Sequence, residues 1–176
     1  MSPKPNYTTQ TATFNIGKPK AHNNALLPSK KSAKNTINGN TMLNQDFKEF
    51  IELLNKHDVK YLVIGGYAVA VHGHPRYTKD IDIWIKMSTE NAEKIVKVLT
   101  EFGFGSLGLS LNDFTCPNQI IQLGYPPARI DIITTPDGVD FETCYQTKMQ
   151  VELSNILVDF IDLEILKQNK KASGRL

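Results

Sequence analysis

The chain is poor in cysteine, with two in 176 residues. Cys116 and Cys144 fall in no paired or Cys/His pattern, which argues against a disulfide scaffold and against a zinc site. No apolar run approaches the roughly 20 residues that span a bilayer, and no signal-peptide core follows Met1. No membrane partner is expected, and a reducing, cytoplasmic setting is the default. Acidic groups are missing from residues 1–40, which hold six lysines and no Asp, Glu or Arg. The net charge of +2 therefore belongs to that tail, because beyond it 14 basic groups face 18 acidic ones. Such a balance gives no argument for a nucleic-acid surface on the body of the protein. Nor is there an aromatic-rich basic stretch of the kind that holds single-stranded RNA.

What is present suffices for one domain with a sizeable core, at 40% hydrophobic and 22% charged residues. Residues 1–41 are rich in Asn, Thr, Lys and Pro without apolar periodicity, so they read as a disordered extension. A dispensable extension and a basic arm that touches RNA are both compatible with that composition. Residues 42–176 form the domain. Apolar spacing predicts a helix over 44–57 capped by Asn44, a strand over 60–64 and a helix from Tyr67. Further helices are expected over 88–102, 141–147 and 162–172. Strands are expected at 119–123 and 128–134, with a hairpin at 149–153 and 156–160. Gly103, Gly105 and Gly108 mark a loop after a helix, which excludes a dinucleotide fingerprint.

The most informative stretch is residues 62–85, LVIGGYAVAVHGHPRYTKDIDIWI. An apolar run stops at Gly65-Gly66, and glycines there let a backbone approach a ligand closely. A helix follows, whose free N–H groups favour phosphate. After a polar turn, Ile81, Ile83 and Ile85 alternate with Asp80, Asp82 and Trp84, the period of a strand with two unlike faces. Both aspartates thus point to one side, where adjacent carboxylates repel unless a cation joins them. Hard divalent cations prefer such oxygen ligands. His72 and His74 lie in the turn without a third His or Cys, so a structural role is expected of them.

The pattern G-G-x-A followed by H-G-x-x-R-x-T-x-D-I-D resembles the nucleotidyltransferase superfamily that includes DNA polymerase beta, and within it the minimal and AbiEii-type enzymes. The resemblance covers residues 47–175. It implies an α/β (α+β) fold, a small mixed β-sheet with flanking helices. It also implies transfer of a nucleoside monophosphate from an NTP, ATP among them, to a hydroxyl with release of pyrophosphate. The cofactor implied is Mg²⁺ or Mn²⁺, two ions held by Asp80, Asp82 and Asp131, the last in R-I-D-I-I. Gly65, Gly66, Arg76, Thr78 and Lys170 are implied to bind the nucleotide. Lys79 is left as a surface cation, and for Lys170 a solvated helix end is the competing reading. Acceptors in similar families are tRNA ends, proteins and small molecules, and some members are toxins with antitoxin partners. The AbiEii pattern continues beyond the lysine motif, so this sequence reads either as a truncated chain or as a shortened relative. The alternatives are a non-catalytic nucleotide-binding module that kept the fold and a nucleotide hydrolase.

Overall fold

Segments with period-two apolar patterning join into one mixed sheet, and helices cover its faces. The computed structural model describes residues 10–14, 43–74, 77–125 and 128–174. In chain order the elements are β1 (Gln10–Phe14), α1 (Gln45–Lys56), β2 (Tyr61–Ile64), α2 (Gly65–Val71), β3 (Asp80–Ile85) and α3 (Thr89–Leu99). Then follow α4 (Leu111–Thr115), β4 (Gln119–Leu123), β5 (Arg129–Ile133), α5 (Phe141–Gln146), β6 (Met149–Leu153), β7 (Ile156–Phe160) and α6 (Leu163–Ala172). The strand order is β1-β4-β5-β3-β2-β7-β6. Pairs β1–β4, β3–β5 and β2–β7 are parallel, and β2–β3, β4–β5 and β6–β7 are antiparallel.

Local sequence explains where the helices start. Asn44 Oδ1 accepts the Asp46 N–H, Ser88 accepts from Asn91, and Asp162 accepts from Glu164 and Ile165. Each side chain satisfies an otherwise orphaned N–H of a first turn. The hairpin between β6 and β7 turns at Ser154 and Asn155, both at positive φ, as a two-residue hairpin turn requires.

Register sorts the side chains into two faces. Asp82 lies beside Asp131 and opposite Ile64, and Ile133 lies beside Trp84 and Ile120. Asp80, Asp82, Trp84, Arg129, Asp131, Ile133, Ile120 and Gln122 therefore share one face. The opposite face carries Ile81, Ile83, Ile85, Ile121, Leu123, Ile130 and Ile132, all buried. Phe102 and Phe104 lie near Leu123 and Ile130 there, and Phe50 of α1 meets Phe102 edge-on at 5.1 Å. On the carboxylate face, Phe141 of α5 meets Trp84 edge-on at 5.1 Å, and Trp84 Nε1 donates to the Thr134 carbonyl.

Two expectations change. Gln10–Phe14, inside the stretch expected to be disordered, is an edge strand paired with β4 over five residues. Backbone hydrogen bonds to an open sheet edge order such a segment without a core of its own, and Thr11, Thr13 and Phe14 have β propensity. Expected as helix to residue 102 and loop beyond, the chain instead passes from α3 into a π-helical turn, Thr100–Phe104, then a 3₁₀ turn, Gly105–Leu107. Gly103 at φ 100° breaks the regular winding there. The short helix α4, with its Ser110/Asp113 capping box, was not anticipated.

Candidate active site

The site is assembled where β2 ends. Gly65 has φ 64°, which lets the chain leave β2 and enter α2 at once. No side chain fits at either glycine. A Cβ on Gly65 would run into the Asp82 carboxylate, and a Cβ on Gly66 would stand 2.6 Å from Thr78 Oγ1. Thr78 Oγ1 in turn donates to the Asp80 carbonyl at 3.1 Å. Thr78 thus pins the turn that launches β3 against the backbone of α2.

Asp82 is the electrostatic focus. Burial, then the nearby charges of Asp131 and Asp80, push its pKa up to about 6, against a smaller lowering by the Gly66 N–H it accepts. A carboxylate in that state favours a proton or a cation. Asp131 is buried, with 6% exposure. Arg129, two residues earlier on the same face of β5, holds it in bidentate fashion. Nε donates to Oδ1 at 2.7 Å and Nη2 to Oδ2 at 2.9 Å. The same Nη2 reaches Asp80 Oδ2 at 2.8 Å. These contacts with carboxylates, Asp131 first, keep the guanidinium firmly charged.

A cleft of about 410 Å³ runs from this point, lined among others by Gly65, Gly66, Asp82, Ile133 and Lys170. Lys170 sits in the last turn of α6. That turn is fixed to the loop after β5, because Gln168 Nε2 donates to the Gly138 carbonyl and Asn169 Nδ2 to the Asp137 carbonyl. Of the residues expected to form the site, Gly65, Gly66, Asp82 and Lys170 line one cleft. Thr78 backs it, and Asp80 and Asp131 stand beside it on the same face. Arg76 lies outside the described residues. His72 has a structural place, with Nε2 donating to the Ile161 carbonyl at 2.8 Å. Lys79 is exposed.

Arg129 was passed over as a site residue, although its i, i+2 spacing from Asp131 on a strand signals a shared face. Its guanidinium bridges two of the three carboxylates. As the side chains lie, no three His, Cys, Asp or Glu groups among the described residues stand together as a metal-holding set. The donor chemistry still suits a hard divalent cation. All candidate ligands are carboxylate oxygens, and Asp82, the one that Arg129 does not hydrogen-bond, carries the excess negative field.

Residues 46–113 match the family model of aminoglycoside-2''-adenylyltransferase. That stretch contains Gly65, Gly66, Asp80 and Asp82 and ends before Asp131 and Lys170. Six solved chains match the structure. One is a Thermotoga maritima protein provisionally assigned as a nucleotidyltransferase, which superposes with a TM-score of 0.53 at 21% identity. That match covers 73% of this chain and 83% of the other. At that identity the likeness establishes the shared fold. No curated protein matches the chain.

Proposed function

We propose that the protein is a metal-dependent nucleotidyltransferase that moves a nucleoside monophosphate from an NTP to an acceptor hydroxyl. The observation that carries this reading is the interlock of Gly65, Gly66, Thr78 and Asp82 at the mouth of a cleft that Lys170 also lines. Backbone without side chains, a carboxylate in need of a cation and a lysine meet at one place. That combination suits a magnesium-bound triphosphate better than it suits an inert turn.

Gly65 and Gly66 would present backbone N–H groups to the β- and γ-phosphates. Lys170 would offset charge on the departing pyrophosphate from the opposite wall. Asp80, Asp82 and Asp131 would hold Mg²⁺ or Mn²⁺, which lowers the pKa of the attacking hydroxyl and neutralises phosphate charge when bound. Asp131, oriented by Arg129, would take the hydroxyl proton as the new oxygen–phosphorus bond forms and the bond between the α- and β-phosphates breaks. Rate then depends on positioning and electrostatics, as in other phosphoryl transfers.

Candidate acceptors remain a small molecule, a protein side chain and a tRNA end. The similarity to an aminoglycoside adenylyltransferase model puts an aminosugar first. A protein or tRNA acceptor would fit a toxin-type role with an antitoxin partner. The bridging of Asp80 and Asp131 by Arg129 favours one rival, a nucleotide-binding module without catalysis.

The deciding experiment incubates the protein with each of four α-labelled NTPs, Mg²⁺ or Mn²⁺, an aminosugar panel and a cell extract, beside Asp82→Ala. Transfer of label that the variant loses is the expected result. NTP binding without transfer to any acceptor supports the module, and absence of both transfer and metal-dependent NTP binding overturns the nucleotide reading.

A further inference from the structure

The cleft continues well past the phosphate end. From Asp82 it crosses Ile133 of β5 and Ile120 of β4 and reaches Asn118 at the entrance to β4. Ile120 and Ile133 are direct partners in the antiparallel ladder, so their side chains stand side by side on the carboxylate face. Their neighbours on the opposite face, Ile121 and Ile132, are fully buried, whereas Ile120 and Ile133 are only half-buried. Together they make an apolar floor in a cleft that is otherwise largely polar. Strand spacing of ~4.8 Å and a rise of ~3.3 Å per residue place Ile133 and Ile120 about 8 and 12 Å from Asp82 along the sheet. Those separations match the reach from a nucleotide's phosphates across the ribose to its base.

Asn118 closes this end of the cleft. It has φ 59°, a left-handed conformation that Asn and Gly tolerate. Its backbone N–H donates to Thr135 Oγ1 at 3.1 Å, and the next N–H, of Gln119, donates to Thr134 Oγ1 at 2.9 Å. The backbone is therefore fixed. Gln119 spends its amide on the Pro117 carbonyl, but the Asn118 side-chain amide has no hydrogen-bond partner among the described residues. A half-buried amide that offers both a donor and an acceptor beside an apolar floor suits a planar ring with a polar edge.

We propose that Ile120 and Ile133 form the seat of the nucleobase and that the Asn118 amide reads its edge, selecting adenine. This rests on the nucleotidyltransferase reading and adds the specificity element to it. An amide pairs with an adjacent acceptor and donor, which adenine presents as N7 and its 6-amino group. Guanine presents two acceptors at the same edge and leaves the amide oxygen unmatched. Asn118 does not touch the reacting atoms, and its role is discrimination between nucleotides.

The test is equilibrium binding of ATP, GTP and inorganic tripolyphosphate, each with Mg²⁺, to the wild type, Asn118→Gly and Asn118→Asp. Glycine keeps the left-handed backbone without strain, and aspartate keeps the shape but removes the donor. The wild type is expected to prefer ATP to GTP. Asn118→Gly should lower ATP affinity at least about fivefold and leave GTP and tripolyphosphate within about twofold. Asn118→Asp should lose the same preference. An ATP preference that survives in Asn118→Gly, or a wild type that binds NTPs without regard to base, overturns the assignment alone. A wild type that binds neither NTPs nor tripolyphosphate overturns the nucleotide reading and the assignment with it.

Discussion

Burial among like charges makes Asp82 a burden on the fold that a bound cation would relieve. Its native pKa of about 6 lies above the ordinary 3.8, so the native state binds the proton more tightly than the unfolded chain does. This group's stabilising protonation is complete below pH 3.8 and is lost as pH rises through 6. The interval corresponds to at most about 3 kcal/mol. Denaturant titrations of metal-free protein should show Asp82→Asn more stable than wild type above pH 6, by about 2–3 kcal/mol, with the gap closing towards pH 4. Asn keeps an acceptor for the Gly66 N–H, so the gain reflects the lost charge. The same variant should transfer no label.

Arg129 acts in the opposite sense. Its three carboxylate contacts stabilise Asp131 and Asp80, and Arg129→Ala strands two acidic groups, one of them buried. A stability loss of roughly 1–3 kcal/mol is expected, read as a lower denaturant midpoint with unchanged slope. At Gly66, alanine meets Thr78, and the turn must shift. Gly66→Ala should cost about 1–3 kcal/mol and raise the KM for NTP more than it lowers stability.

Among the elements, those built on strong periodicity were legible before any coordinates. The alternation around Asp80 and Asp82 placed both on one face, the cap at Asn44 was readable from residue type and position, and so were helix starts near residues 88 and 162. The edge strand β1 was not. Its pairing with β4 joins residues more than a hundred positions apart, and a polar five-residue segment carries little periodicity. Asn118 was missed for a related reason, because a turn residue shows its use only once the strands beside it are in place. Removing residues 1–41 should leave α1 onward folded but bare the backbone groups of β4, and exposed edges pair with other chains. Light scattering and analytical ultracentrifugation should then show concentration-dependent association that the full chain lacks.

At the scale of the whole molecule, one sheet supplies the carboxylates, and the start of α2, the turn before β3 and the last turn of α6 supply the rest of the candidate site. The neighbouring register of Asp82 and Asp131 follows from parallel pairing of β3 with β5, a topology that strand spacing in the sequence does not encode. If those aspartates hold a cation, Mg²⁺ should raise the melting temperature by about 2–4 °C for each kcal/mol of binding energy, and chelator should reverse the rise. Asp82→Asn should abolish the response. A wild type whose melting temperature is indifferent to Mg²⁺ and Mn²⁺ would remove the metal from the proposal.

The turn that lines the cleft is also tied to the loop after β5, through Gln168 and Asn169. Asn169, Lys170 and Ser173 all border the slot. If the slot holds a nucleotide, its occupant would clamp α6 onto that loop, and backbone amides of Leu163–Ala172 should exchange with solvent more slowly once ATP and Mg²⁺ are added.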